Sequence, residues 1–432
     1  MTVKFLQVSA HEAAIVEAAG RRAGPPQARP DPPGGSIEVP GDRGVVIIMI
    51  KVLQGLKVVE QGTFITGPAA GMLLGDLGAD VIKVEMPKTG DPFRAFKDGL
   101  YSPHFQTYNR NKRSITLDTK DAADREVFDA LIADADVYIQ NFRPGVADKL
   151  GAGEARLRLL NPKLIYCSIS GFGATGPAAN RPAYDTVAQA ASGFLNLLVN
   201  PQNPRVVGPA IADSLTGFYA AYGVMGALFE RSRTGIGRTV EVSMLEAMAH
   251  FNLDAFTHYF QVNEVMGPYS RPSVSQSYVL ECGDGKWIAL HMSSPEKFWQ
   301  GLALAIEQPE LFKDARFATR DSRIANQETL IELLGECFKR RTRDDWCARL
   351  QREDVPHAPM YDTSEALEDP QAVHLQLTAS AEHPVMGLFR TVRSPVSFDG
   401  ERALVVRPPP TLGEHNEEIR AALKLRTTQA NA

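Results

Sequence analysis

Between residues 53 and 170 the chain alternates short β-type runs with stretches of helical spacing, and this alternation constrains the fold more than any other feature. LKVVEQ reads as a strand, 68–77 as a helix and ADVIKVE as a second strand, with RSITLD, VYIQNF and LIYCSIS as further β runs. Between them, DAADREVFDALIADAD and DKLGAGEARLRLL carry apolar residues at helical intervals. Successive β-α-β units build a parallel sheet, because parallel strands need a crossover that covers the sheet. The expected class is therefore α/β, with a Rossmann-like, doubly wound sheet whose strand ends face a ligand crevice. The loop after the first strand, GTFITGP, has neither a GxGxxG pattern nor a GK[ST] ending. A plain turn is the better reading there, and a dinucleotide or P-loop phosphate site is disfavoured.

At 432 residues the chain exceeds one ordinary core, so two domains are expected. Residues 1–48, with the Pro/Gly-rich piece GPPQARPDPPGG, read as a weakly ordered extension. Met49 stands just before the patterned part, which points to it as a translation start or to the preceding tail as dispensable. Residues 49–250 read as the first part of a large Rossmann-like domain and 251–373 as a linker and smaller α+β domain. Residues 374–432 read as a return to the large domain. The smaller domain shows a hairpin around Gly283-Asp284-Gly285 and helices at 295–304, 328–340 and 343–353. Long linkers are expected near 267–276 and 356–370.

Apolar content of 44% and charged content of 22% are those of a soluble globular protein. A formal net charge of -5 argues against nucleic acid or an anionic membrane as the main partner. Cys167, Cys282, Cys337 and Cys347 form no CxxC, and nine histidines include no HExxH pair, so neither a disulfide framework nor a metal site is expected. The apolar run GVVIIMI at 44–50 is too short to span a bilayer. With no secretory leader, the chain reads as cytoplasmic.

Asp213 stands in AIADSLTG, just before the uncharged run SLTGFYAAYGVMGALF. That run predicts a helix buried on nearly all sides, with Asp213 as its N-cap, kept ionised by first-turn amides and the positive end of the helix dipole. An aspartate there is ordinarily architectural, and a covalent nucleophile is the minority reading of the residues alone. Asp185, after Tyr184 and before TVAQAASG, likewise reads as a helix start with a capping carboxylate. Arg110, Lys112, Arg113 and Lys120 in NRNKRSITLDTK form either a solvated basic face or a loop holding phosphate oxygens, and both readings stay open. His291 and His415 read as structural or exposed.

From 53 to about 423 the chain resembles the class III coenzyme A transferases, the group of formyl-CoA transferase and carnitine CoA-transferase. The resemblance is carried in order by LQGLKVVEQ, TGPAAGMLLGDLGADVIKVE, NRNKRSITLDTK, NFRPGVADKLG, NPKLIYCSISGFG, AYDTVAQAASG, ADSLTGFYAAYGVMGAL, TGIGRTVEVSMLEA and PPTLGEHNEEI. It implies that Asp213 is the nucleophile, attacking an acyl-CoA thioester to give a mixed anhydride and then an aspartyl-CoA thioester, from which an incoming carboxylic acid takes the CoA. It implies CoA contacts from Leu117, Asp118, Thr119 and Lys120, and from Asn141, Phe142 and Arg143. Lys149 stands where the family has an arginine facing the CoA phosphates. Tyr184 and Asp185 fall near the thioester. Coenzyme A is then substrate and covalent intermediate, no cofactor is permanently bound, and an interlocked homodimer is expected.

Departures from the pattern matter too. Ile65 and Met86 replace a glutamine and an arginine of formyl-CoA members, and no GGGG flap is present, so formyl and oxalyl groups are poor substrate guesses. An α-methylacyl-CoA racemase is one alternative, weakened because Tyr184 stands where racemases have a histidine proton carrier. A catalytically silent CoA-binding protein, with Asp213 a mere cap, is the other.

Overall fold

Neighbouring residues on a β-strand point to opposite faces, so the short Val/Ile runs are buried only if both faces of their sheet are covered. The computed structural model, which describes residues 52–430 apart from 98, 294 and 403–405, shows that arrangement. The expectations for 1–48 and Met49 lie outside the described residues. Six strands, β1 (Lys57–Gln61), β2 (Asp80–Glu85), β3 (Lys112–Thr116), β4 (Val137–Gln140), β5 (Ile165–Ser170) and β6 (Thr239–Ser243), form a parallel sheet in the order β3-β2-β1-β4-β5-β6. The helices of this part are α1 (Thr66–Asp76), α2 (Pro103–Tyr108), α3 (Ala122–Ala133), α4 (Val146–Lys149), α5 (Glu154–Leu160), α6 (Asp185–Ala191), α7 (Ile211–Thr234), α8 (Met244–Phe251) and α9 (Leu253–Val262).

Register divides the strand residues cleanly. Val58 stands beside Val81 and Val137, and these pack with Ala70 and Leu74 of α1 and Ala220 and Val224 of α7. Val59 stands beside Ile82 and Tyr138, and these pack on the other face with Phe128 and Ile132 of α3, Leu157 of α5 and Ile419. Ile419 belongs to the last helix, Asn416–Ala430. The residues before it cover the β3 edge, with the His415 amide donating to Ser114 O at 3.0 Å and the Thr116 amide donating to Asn416 Oδ1 at 2.8 Å. An open edge of a sheet is thereby blunted.

Several local expectations change. The strand β6 went unread in the sequence, although TVEVS alternates as an edge strand does. DKLGAGEARLRLL is two helices, because Gly151 adopts φ 69° and breaks it after α4. The stretches expected as bare linkers carry structure, a helix at Ser270–Ser275 and, further on, a strand at His357–Pro359 and a helix at Thr363–Glu368. The long apolar helix α7 is not buried all round. Phe218, Tyr222, Met225 and Phe229, spaced along one face, are exposed.

After α9 come an antiparallel sheet of β7 (Ser277–Glu281), β8 (Trp287–His291) and β9 (His357–Pro359), and then a hairpin of β10 (Thr378–His383) and β11 (Gly387–Val392). The β7–β9 sheet has its own core, in which Leu280, Ile288 and Leu290 meet Trp299, Leu302, Leu334, Phe338 and Trp346. The helices there, Glu296–Ala305, Gln327–Phe338 and Arg343–Arg352, fall within two residues of their expected bounds.

Candidate active site

Strand order reverses between β1 and β4, and the loops leaving their carboxyl ends diverge there, which opens a crevice in sheets of this kind. A cleft of about 170 Å³ occupies this place. The loop after β1 contributes Thr63, Phe64 and Ile65, the loop after β4 contributes Asn141, Phe142 and Arg143, and Arg181, Tyr184 and Asp213 close it from the chain after β5. Asn141 staples the first two loops together. Its Oδ1 accepts from the Thr63 amide at 2.9 Å, and its Nδ2 donates to Thr63 O at 2.7 Å and Thr66 Oγ1 at 2.9 Å.

Asp213 is the third residue of α7, and Ala210 occupies the N-cap without a side-chain bond. The expectation that Asp213 caps its own helix is therefore wrong, and the reason lies in a different element. Asp185, the first residue of α6, reaches across so that its Oδ1 accepts from the Ala212 amide at 2.8 Å and the Asp213 amide at 3.3 Å. Its Oδ2 accepts from Gln189 Nε2 at 2.6 Å. Asp185 caps α7, then, while its own helix α6 starts after Tyr184 with no side-chain cap.

The Asp213 carboxylate accepts no hydrogen bond among the described residues. Half-buried and beside a second carboxylate, it is pushed up to about 7, first by burial and then by Asp185. Burial and Asp185 thus work against the helix terminus, which was expected to keep it ionised. Tyr184 is exposed, with its ring edge-on to Phe64 at 6.1 Å between centroids. Ile65 is buried in the cleft wall, and Met86 lies exposed after β2.

The other expected residues stand apart from this cleft. Leu117 is buried in the core, and Thr119 is buried with its carbonyl accepting from Arg125. Asp118 Oδ1 accepts from the Lys120 amide at 3.0 Å, and the Lys120 side chain is exposed. Lys149 is exposed at the end of α4. The Arg125 guanidinium packs against Gly151, so the loop after β3 and the end of α4 are neighbours.

Neither reading of the basic cluster holds as a whole. Lys112 and Arg110 are buried in ion pairs with Glu60 and Asp76, and Arg113 pairs with Asp80 and Glu418. Only Lys120 of the four is exposed. Sequence reasoning also missed Arg181 and Phe64 as cleft residues. Arg181 lies three residues before Tyr184 in NRPAYD, a nearness that was available as a signal. His291 Nδ1 lies 2.9 Å from Ser277 Oγ, and His415 Nδ1 accepts from the Ser114 amide at 3.3 Å, both away from the cleft.

Residues 53–416 match the model of CoA-transferase family III, and the chain belongs to that family. It is a class III CoA-transferase, of the enzymes that move CoA between an acyl-CoA and a carboxylate. Among its relatives, the human succinyl-CoA:glutarate CoA-transferase is 31% identical over 86% of this chain and 85% of its own length. The formyl-CoA:oxalate CoA-transferase of Streptomyces avermitilis is 33% identical over 86% and 95%. Among solved structures, a CAIB/BAIF family protein from Brucella suis superposes with a TM-score of 0.76 at 35% identity, covering 86% of this chain and 99% of that one. Rv3272 from Mycobacterium tuberculosis gives 0.75 at 29%, covering 85% and 98%. Among the described residues no helix is long and apolar enough to cross a membrane, and no group of three or more metal-ligating side chains occurs.

Proposed function

We propose that Asp213 is the covalent nucleophile of this CoA-transferase, acting from the cleft at the switch point. The observation that carries the reading is the division of labour between the two carboxylates. Asp185 takes up the α7 amides, and the Asp213 carboxylate is left in the cleft without a hydrogen-bond partner among the described residues. An Asp213 oxygen attacks the thioester carbonyl, the C–S bond breaks, and a mixed anhydride and CoA thiolate result. The thiolate then attacks the aspartyl carbonyl, releasing the donor acid and leaving an aspartyl-CoA thioester. The acceptor carboxylate reverses both steps: it displaces the thiolate to form a second anhydride, and the thiolate takes the new acyl group and frees Asp213.

For CoA itself, Asn141, Phe142 and Arg143 are proposed to hold the pantetheine end beside Asp213. Leu117, Asp118, Thr119, Lys120 and Lys149 are proposed to hold the nucleotide end, the buried Leu117 and Thr119 through their backbone. From β4 to β3 is three strand spacings, about 14 Å, a separation suited to the extended arm of CoA. Tyr184 edges the acyl position, and Asp185 acts on Asp213 through charge and placement. Ile65, with the rings of Phe64, Phe142 and Tyr184, favours an acyl group less polar than formyl or oxalyl. The named activities of the relatives leave donor and acceptor to a screen of acyl-CoAs against carboxylic acids, read as mass-resolved CoA esters.

Besides the stripe of α7, Phe251, Leu253, Tyr259, Phe260 and Val262 of α8 and α9 are exposed. An apolar surface of that extent supports a protein partner, and the proposed partner is a second copy of this chain in an interlocked homodimer. The division into 49–250, 251–373 and 374–432 is retained as a proposal for how the chain passes between its domains. An isomerase reading is disfavoured by the tyrosine at 184, since two proton carriers are needed. Exchange of the α-proton in deuterated water, without CoA transfer to any acid, is the result that would establish it.

A further inference from the structure

Beneath the cleft lie six buried charged side chains: Glu60, Lys83, Glu85, Asp91, Arg94 and Lys112. We propose that these are positioning residues, which hold the corner Thr63-Phe64-Ile65 of the cleft in place for the reaction at Asp213. The proposal rests on the reading of that cleft as the active site.

Burying an ion costs free energy unless it is paired and its remaining hydrogen bonds are made, and a buried pair is weak evidence for stability as such. Here the charges cancel, three acidic against three basic. Lys83 Nζ sits 2.9 Å from Glu60 Oε1 and 3.0 Å from Asp91 Oδ2, and Lys112 Nζ sits 2.6 Å from Glu60 Oε2. Glu85 holds Arg94 through two contacts of 2.7 Å and accepts from the Asp91 amide at 3.0 Å.

What singles the network out is where its spare hydrogen bonds go. Lys83 donates to Gly62 O at 2.8 Å, and Glu60 Oε1 accepts from the Gly62 amide at 3.2 Å. Asp91 Oδ1 accepts from the Phe64 amide at 3.1 Å, and Lys112 donates to Pro68 O at 2.8 Å. The corner is thus gripped before, at and after its apex. Phe64 adopts φ 61°, a left-handed conformation that is strained for an aromatic residue and persists only where its surroundings impose it. A Cβ on Gly62 or on Gly71 would stand 3.0 Å from a Glu60 carboxylate oxygen, so glycine at both places lets the carboxylate lie under the loop. The Phe64 ring is the one that meets Tyr184, and Thr63 is the residue stapled to Asn141.

Two charge-balanced double variants of the full chain separate positioning from mere support. Lys83→Met with Asp91→Asn removes the donor to Gly62 O and keeps an oxygen for the Phe64 amide, leaving Glu60 paired with Lys112. Glu60→Gln with Lys112→Met frees Pro68 O and Asn109 Oδ1 and keeps the grip on Gly62 and Phe64. Each is measured for cooperative melting, for affinity toward free CoA, and for turnover per site that hydroxylamine traps from acyl-CoA. The expected result is that both fold and bind CoA as wild type does. Turnover per trapped site falls about 100-fold in the first pair, the cost of a misplacement near 1 Å, and less in the second. Turnover per site within two-fold of wild type in both, or failure of both to fold, overturns the proposal. If the wild type itself traps nothing, the reading of Asp213 fails instead, and turnover per folded chain still compares the pairs.

Discussion

Asp185 Oδ1 lies 3.3 Å from the Asp213 amide, yet the two carboxylates have opposite environments. Asp185 is tied to two amides and a glutamine, whereas Asp213 is desolvated and pushed up to about 7 by burial and by its neighbour. Because the folded-state value lies above the ordinary 3.8, the stability linked to this group is fully present below pH 4 and is lost as pH rises through 7. Asp213→Asn should therefore melt above wild type at pH 8, by on the order of 2 kcal/mol after solvent screening, with the difference closing toward pH 4. The same variant should lose CoA transfer altogether. Asp185→Asn keeps an oxygen for the Ala212 amide but removes the repelling charge. The acidic limb of kcat/KM against pH for acyl-CoA should then move down by up to about one unit, while an unmoved limb would show that Asp185 has no electrostatic hold on Asp213. The residues of this pair were legible in the sequence, but their roles were not. Capping preferences act over neighbouring residues, and here the cap comes from 28 positions upstream through tertiary placement.

At the scale of elements, the position of Asp213 depends on how closely α7 meets α1. A Cβ on Gly217 would stand 2.7 Å from Ala69 Cβ and 2.8 Å from Thr66 O, closer than real contacts allow. Gly217→Ala should cost about 1–3 kcal/mol in thermal or denaturant unfolding and slow CoA transfer, since the helix that carries Asp213 must back away from the cleft wall. The strands β1 to β5 and most helices were readable because period-2 and period-3.6 patterns are local properties of the chain. The edge strand β6 and the break at Gly151 were harder to read, being fixed by pairing with β5 and by packing against Arg125. The uncharged run of α7 gave the right helix and the wrong surroundings. Hydrophobicity on all faces does not report which of them this chain covers, and Phe218, Tyr222, Met225 and Phe229 are left exposed.

For the whole molecule, that stripe of α7 makes the oligomeric state the natural test. Tyr222→Glu lies on an exposed face, where a surface substitution in a monomer would change stability by no more than about 0.5 kcal/mol. In the proposed homodimer it should abolish the dimer in sedimentation and lower the melting temperature sharply. A monomeric wild type, or a variant indistinguishable from it, would contradict the assembly. The buried network under the cleft illustrates why part of the site stayed hidden in the sequence. Glu60, Lys83 and Lys112 lie on three different strands, and only the parallel register brings them together.

The central claim, that Asp213 carries the transferred group, is tested most directly by mass spectrometry of the full chain after incubation with an acyl-CoA and hydroxylamine. The peptide containing Asp213 is expected to carry a hydroxamate, formed only when acyl-CoA is present and absent from Asp213→Asn. An unmodified Asp213 in protein that turns over acyl-CoA, or a hydroxamate on another carboxylate, would contradict it.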